Sequence, residues 1–204
     1  VGIETVAGYC NINNNTIGDP TTTNNIYNQG TYDQSFTYNQ SYIYGIWNTS
    51  SSDVTINNNT VGGLTTSTAY SFVCGIRVGQ AENTPSVATT PVSAKNTITN
   101  NTVKNLYTSS ASQTYALPGA GTGIMIYSSN SNNLVDNNAI VSINCNGAAA
   151  ANVRCIGLSV DATGTGGGTV SRNKIYSITN SNTGASTTYN PQSYGILTGY
   201  LNIT

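Results

Sequence analysis

Few side chains in this sequence can do acid–base or nucleophilic chemistry. The carboxylates are Glu4, Asp19, Asp33, Asp53, Glu82, Asp136 and Asp161, and there is no His among the 204 residues. Absence of His removes Ser-His and Cys-His catalysis and the commonest zinc ligand. Cleavage of a glycosidic bond by two carboxyl groups needs them roughly 5–9.5 Å apart. No DxD and no other acidic pair occurs, and Asp53 and Asp136 fall out of register in the repeat described below. We assign no catalytic residue and expect neither a bound metal nor a cofactor. Asp161 with Arg77 is the pair to test should turnover be found. The four thiols, Cys10, Cys74, Cys145 and Cys155, form no CxxC. Cys145 and Cys155 bracket a run of small residues, and a local disulfide or two buried thiols fit that spacing equally.

The elements that must carry these residues are strands. Asn, Thr and Ser together make 83 residues, whereas Lys, Arg, Asp and Glu make only 13, for a net charge of −1. So few cations cannot neutralise a polyanion, which excludes nucleic acid as a partner. No apolar run approaches the ~20 residues of a membrane-spanning helix, so no membrane span is expected. Disordered chains combine high charge with few aromatic and β-branched residues. This chain carries 14 Tyr and many Ile, Val and Thr, which suit a pleated surface.

Five segments align without gaps, at residues 12–20, 56–64, 98–106, 135–143 and 170–178. Each opens on an apolar residue: Ile12, Ile56, Ile98, Val135 or Val170. Three positions on stands Asn15, Asn59, Asn101, Asn138 or Asn173, and two further on Ile17, Val61, Val103, Ile140 or Ile175. Between these segments Gly is followed by Ile or Leu, at Gly45, Gly75, Gly123, Gly157 and Gly195. Successive Asn positions are 44, 42, 37 and 35 residues apart, so constant strands are joined by loops of variable length. If each repeat is one turn of a solenoid, equivalent residues stack ~4.8 Å apart. An Asn at the bend tolerates left-handed backbone, and its amide can donate to the next Asn and accept from the previous one.

This pattern resembles the right-handed parallel β-helix repeat proteins, the pectate-lyase-like superfold, of the bacterial secreted or surface type. The likeness runs from near Cys10 to the C-terminal end. It implies an all-β, right-handed parallel β-helix of about five coils with an asparagine ladder and long loops. The expected domain is a single one over 1–204, a segment of a longer solenoid or a subunit that stacks into a filament. The surplus length follows the Asn segments, as in 20–44 and 106–122, and reads as long loops or extra extended segments.

Alternation along the Gly-Ile strands points Ile46, Ile76, Ile124, Leu158 and Ile196 inward. The opposite face then carries Trp47, Arg77, Met125, Tyr127 and Asp161 on adjacent coils. Such a stripe could grip a glycan by stacking and hydrogen bonding. It is also what an ordinary sheet surface with large cross-strand residues presents. The resemblance implies an extracellular structural or adhesive protein, a rod or filament displaying Thr-, Asn- and Tyr-rich loops. Its partners would be further copies of itself, surface glycans, or both. The alternative is a carbohydrate-active enzyme or glycan-binding module of the pectate-lyase-like class.

Overall fold

A computed structural model describes residues 1–28, 41–67, 71–79, 91–109, 120–146, 153–161, 168–181, 192–198 and 202–203. The strands, in chain order, begin with β1 (Ile3–Thr5), β2 (Cys10–Asn13), β3 (Thr16–Ile17) and β4 (Ile26–Asn28). Next come β5 (Ser41–Asn48), β6 (Val54–Asn57) and β7 (Thr60–Thr66), then β8 (Ser71–Val78), β9 (Asn96–Thr99) and β10 (Thr102–Thr108). They continue with β11 (Gly121–Tyr127), β12 (Asn133–Asp136) and β13 (Ala139–Cys145), and with β14 (Arg154–Asp161), β15 (Gly168–Ser171) and β16 (Lys174–Asn180). The last are β17 (Gln192–Thr198) and β18 (Asn202–Ile203).

These strands sort into three sheets. Sheet A has the order β1-β5-β8-β11-β14-β17, and sheet B the order β18-β15-β12-β9-β6-β2. Sheet C runs β16-β13-β10-β7-β3, with β4 also paired to β7. All the pairings are parallel. The chain visits A, B and C in turn and then returns to A, so strands distant in sequence become neighbours. The fold is therefore all-β with stacked parallel strands, consistent with a parallel β-helix. The short β4 is an extra extended segment within the long stretch after Asp19.

Register explains the repeat. Ile12, Ile56, Ile98, Val135 and Val170 are successive Cα partners in sheet B. Ile17, Val61, Val103, Ile140 and Ile175 are partners in sheet C. Ile46, Ile76, Ile124 and Leu158 line up in sheet A. All three files belong to one interior cluster, with Ile175 packed partly buried against it.

Glycine in the Gly-Ile phrase has a packing cause. A Cβ on Gly123 would lie 2.3 Å from Ile140 Cγ2 and 2.5 Å from the Gly157 carbonyl oxygen. The same two obstacles, a sheet C side chain and the next glycine's carbonyl, confront Gly45, Gly75 and Gly157. Sheets A and C approach too closely there for any side chain. Gly2 meets Ile17 and the Gly45 carbonyl in the same way, so Gly2-Ile3 is a sixth copy of the phrase.

Candidate functional site

Asn15, Asn59, Asn101, Asn138 and Asn173 form one hydrogen-bonded file at the turn from sheet B to sheet C. The Asn15 side-chain amide donates to Asn59 Oδ1 at 2.9 Å, Asn59 to Asn101 at 3.0 Å, Asn101 to Asn138 at 3.0 Å and Asn138 to Asn173 at 2.9 Å. Each accepting Oδ1 also receives the backbone N–H of the preceding Asn in the file, at 2.9 Å. The second amide proton goes to a backbone carbonyl one strand back: Ile12, Ile56, Ile98 or Val135. Both lone pairs and both protons of Asn59, Asn101 and Asn138 are therefore used, as burial of a neutral amide requires. Aspartate at these positions could accept but not donate.

One expectation is corrected here. The ladder Asn does not itself hold the left-handed bend. That backbone belongs to the residue before it: Asn14, Asn58, Asn100, Asn137 and Arg172, with φ between 53° and 60°. The bend must be reachable by a non-Gly residue facing solvent, whereas the ladder position needs a buried amide. The two jobs fall to neighbouring residues because one side chain cannot serve both directions.

A second, shorter file was not foreseen. Asn48 Nδ2 donates to Asn96 Oδ1 at 2.7 Å, and the Asn96 backbone N–H donates to Asn133 Oδ1 at 2.9 Å. Thr5 Oγ1 donates to Asn48 Oδ1 at 2.8 Å. Asn48 ends a strand of sheet A, while Asn96 and Asn133 begin strands of sheet B, so no common motif surrounds them.

The proposed ligand stripe lies on the opposite face of sheet A. Trp47, Arg77 and Met125 are successive Cα partners, as are Tyr127 and Asp161. The stripe is not an open surface. Arg77 is 1% exposed, Met125 2% and Tyr127 8%, while Trp47 is half-buried. Tyr44, Phe72, Cys74 and Met125 form a second apolar cluster, with Tyr42 and Trp47 against it. Strand alternation sorts side chains by face, and the inner strands β8 and β11 of sheet A are buried on both faces, as in many parallel sheets. The near-continuous apolar runs of β8 and β11 carried that signal.

Within the cluster the Arg77 guanidinium lies 5.0 Å from the Tyr44 ring centre and 5.7 Å from that of Phe72. Its Nη1 donates to Tyr44 Oη at 2.6 Å. Trp47 Nε1 donates to the Gly79 carbonyl at 2.9 Å, and its ring centre is 5.2 Å from that of Tyr44. The planar cation is thus held against aromatic faces. Burial pushes the Cys74 thiol up to about 12, so it stays protonated and non-nucleophilic at neutral pH. The Asp161 side chain, Asp33 and Glu82 lie outside the described residues.

Three carboxylates occupy separate structural posts. Asp19 accepts from the Thr21 backbone N–H at 2.8 Å and from Thr21 Oγ1 at 2.6 Å, and those bonds lower its pKa. Asp53 accepts from the Lys95 backbone N–H at 2.9 Å. Asp136 accepts from Arg172 Nε at 2.9 Å, pairs with Arg172 Nη2, and accepts from Ser171 Oγ at 2.7 Å. Hydrogen bonding from Arg172 and then Ser171 holds its carboxyl below the ordinary range.

Cys145 and Cys155 are both buried thiols. Among the described residues no group of three or more His, Cys, Asp or Glu could hold a metal ion, and no helix is long and apolar enough to cross a membrane. Comparison with protein-family models, curated proteins and solved structures finds no match to this chain.

Proposed function

We propose that this chain is part of a right-handed parallel β-helix of the pectate-lyase-like type, with about five coils. It acts outside the cell as a structural or adhesive rod. The observation that supports this reading is the asparagine file, which links five successive levels of the body and uses its three inner amides fully. Such a file resists bending and shear because each level is bonded to the next through side chains as well as backbone. Uncharged polar loops then serve as the display surface. A further level, from the same polypeptide or from a second copy, can add to the stack by the same parallel pairing.

Burial of Arg77, Met125 and Tyr127 leaves the glycan-binding alternative resting on Trp47 and Asp161. The two readings separate in one experiment. The purified chain is incubated with a panel of polysaccharides, and both retention and release of reducing ends are measured. The rod reading expects no release of reducing ends and, in small-angle X-ray scattering, a particle that lengthens as copies stack end to end, each five levels adding about 24 Å. Release abolished by Asp161→Asn would overturn it in favour of an enzyme. Retention without release, lost in Trp47→Ala, would favour a glycan-binding module.

A further inference from the structure

The corner between sheets C and A holds two thiols, each reaching a backbone carbonyl beside the other. Cys145 is the last residue of β13, and Cys155 is the second residue of β14, the next strand in the chain. Both are fully buried. Burial first, and then the neighbouring Cys155 thiol, push the Cys145 thiol pKa up. Cys145 Sγ also approaches the Arg154 carbonyl at 3.8 Å, and Cys155 Sγ donates to the Ile143 carbonyl at 3.4 Å. Each sulfur therefore reaches across the corner to the backbone beside the other. The strand neighbour of Cys155 is Gly121, where a Cβ would come within 2.7 Å of Cys145 Sγ. Glycine there leaves the space that the Cys145 sulfur occupies.

Neighbouring levels close the same corner without covalent bonds. Thr108, the Cα partner of Cys145, shares a hydrogen bond of 3.0 Å with Ser71 across the corner. Asn180, its partner on the other side, donates to the Val153 carbonyl at 2.7 Å and to the Gln192 carbonyl at 3.0 Å. At the level between them two cysteines occupy the bridging posts.

We propose that Cys145 and Cys155 are joined by a disulfide that clamps this corner around residues 146–154. The oxidant is a small-molecule disulfide of the glutathione class. One protein thiolate attacks it and releases one small thiol, leaving a mixed disulfide. The second protein thiolate displaces the other small thiol and forms the S–S bond. Two protein thiols and one small disulfide thus give one protein disulfide and two small thiols. Exchange takes place while the corner is still open, before β14 docks, because a buried neutral thiol is a poor nucleophile. Cys74 lies in the cluster on the opposite face of sheet A and Cys10 in sheet B, so neither competes once the sheets have formed.

The test is refolding of the chain from urea in a mixture of oxidised and reduced glutathione. Free thiols are then alkylated under denaturing conditions, and the protein is digested with trypsin. Arg154 lies between the two cysteines, so cleavage after it leaves them on separate peptides held together only by the disulfide. The expected result is a linked pair carrying Cys145 and Cys155 unalkylated, with Cys10 and Cys74 alkylated. Alkylation of Cys145 and Cys155, or linkage of either to Cys10 or Cys74, would overturn the proposal. As a second reading, reduction should lower the thermal midpoint by roughly 5–10 °C. The double variant Cys145→Ser, Cys155→Ser should show no such drop. A midpoint unmoved by reduction in the parent chain would also overturn the clamp.

Discussion

Two corners of the molecule solve one problem in different ways. From sheet B to sheet C the chain always turns on a dipeptide, one residue with positive φ followed by one ladder Asn. From sheet C to sheet A the connection varies in length between levels. It is held by a hydroxyl pair at Ser71 and Thr108, by thiols at Cys145 and Cys155, and by the Asn180 amide. The first corner is fixed because its side chains bond along the axis, so each level demands the same residue above and below. The second is bridged mainly across the corner, where any complementary pair suffices, and its length is free to drift.

The largest expected effect comes from breaking the first corner. Asn101→Ala would leave one Asn59 amide proton, the Asn59 backbone N–H and the Ile56 carbonyl without this partner, and would remove one of the two donors to Asn138 Oδ1. At about 1–3 kcal/mol for each buried polar group left unsatisfied, with relaxation recovering part, the loss should be about 3–5 kcal/mol in urea unfolding. Thr108→Ala, equally buried at the second corner, should cost about 1 kcal/mol. Equal losses in the two variants would erase the distinction.

Next in size is Gly123→Ala, which tests how far the constraint of the first corner extends. Ile140 follows the ladder residue Asn138 by two positions, and the new methyl would press on it. A loss of about 1–3 kcal/mol is expected from overpacking. Gly195→Ala, in the same file, meets nothing within 4 Å and should change stability by less than about 0.5 kcal/mol. Thermal unfolding of the two variants side by side checks the contrast.

A smaller effect separates the two residues of the dipeptide. Asn58→Ala places an alanine at φ 55° and should cost about 1 kcal/mol, whereas Asn58→Gly should restore most of that loss. Chemical denaturation of this pair, set against Asn59→Ala, shows whether the bend and the buried amide contribute separately.

The smallest effect concerns the outer lip of the same turn. Hydrogen bonds from Arg172 and Ser171 depress the Asp136 pKa in the folded chain. A depressed folded value stabilises the chain above the unfolded pKa of ~3.9, and that stability is lost as pH falls through the folded value. Asp136→Asn should therefore flatten the decline of the thermal midpoint below about pH 4. Because the Arg172 side chain is 75% exposed, added salt should shrink the difference further.

Much of this architecture was legible from phase alone. The columns headed by Ile12, Ile17 and Ile46 repeat with constant local spacing, and strand register needs nothing more. Gly2-Ile3 carried the same signal and stands as the sixth copy of its phrase. The file of Asn48, Asn96 and Asn133 was not legible, because its members come from ends of different strands and share no neighbours in sequence. Exposure of sheet A was misjudged for a different reason. Alternation tells which face a side chain occupies, whereas water access depends on what packs over that face, and Tyr44 from the adjacent strand and Phe72 from the same strand pack against Arg77.

The asparagine file has a direction. Every hydrogen bond between ladder side chains runs from the lower-numbered amide to the higher-numbered oxygen, so the carbonyl dipoles add along the axis instead of cancelling. The Asn15 end offers oxygen and the Asn173 end offers N–H. A twofold meeting of like ends would set acceptor against acceptor, or donor against donor. Growth of the file by the same bonds is therefore translational, head to tail, and an assembly built that way has distinguishable ends and no built-in stopping point.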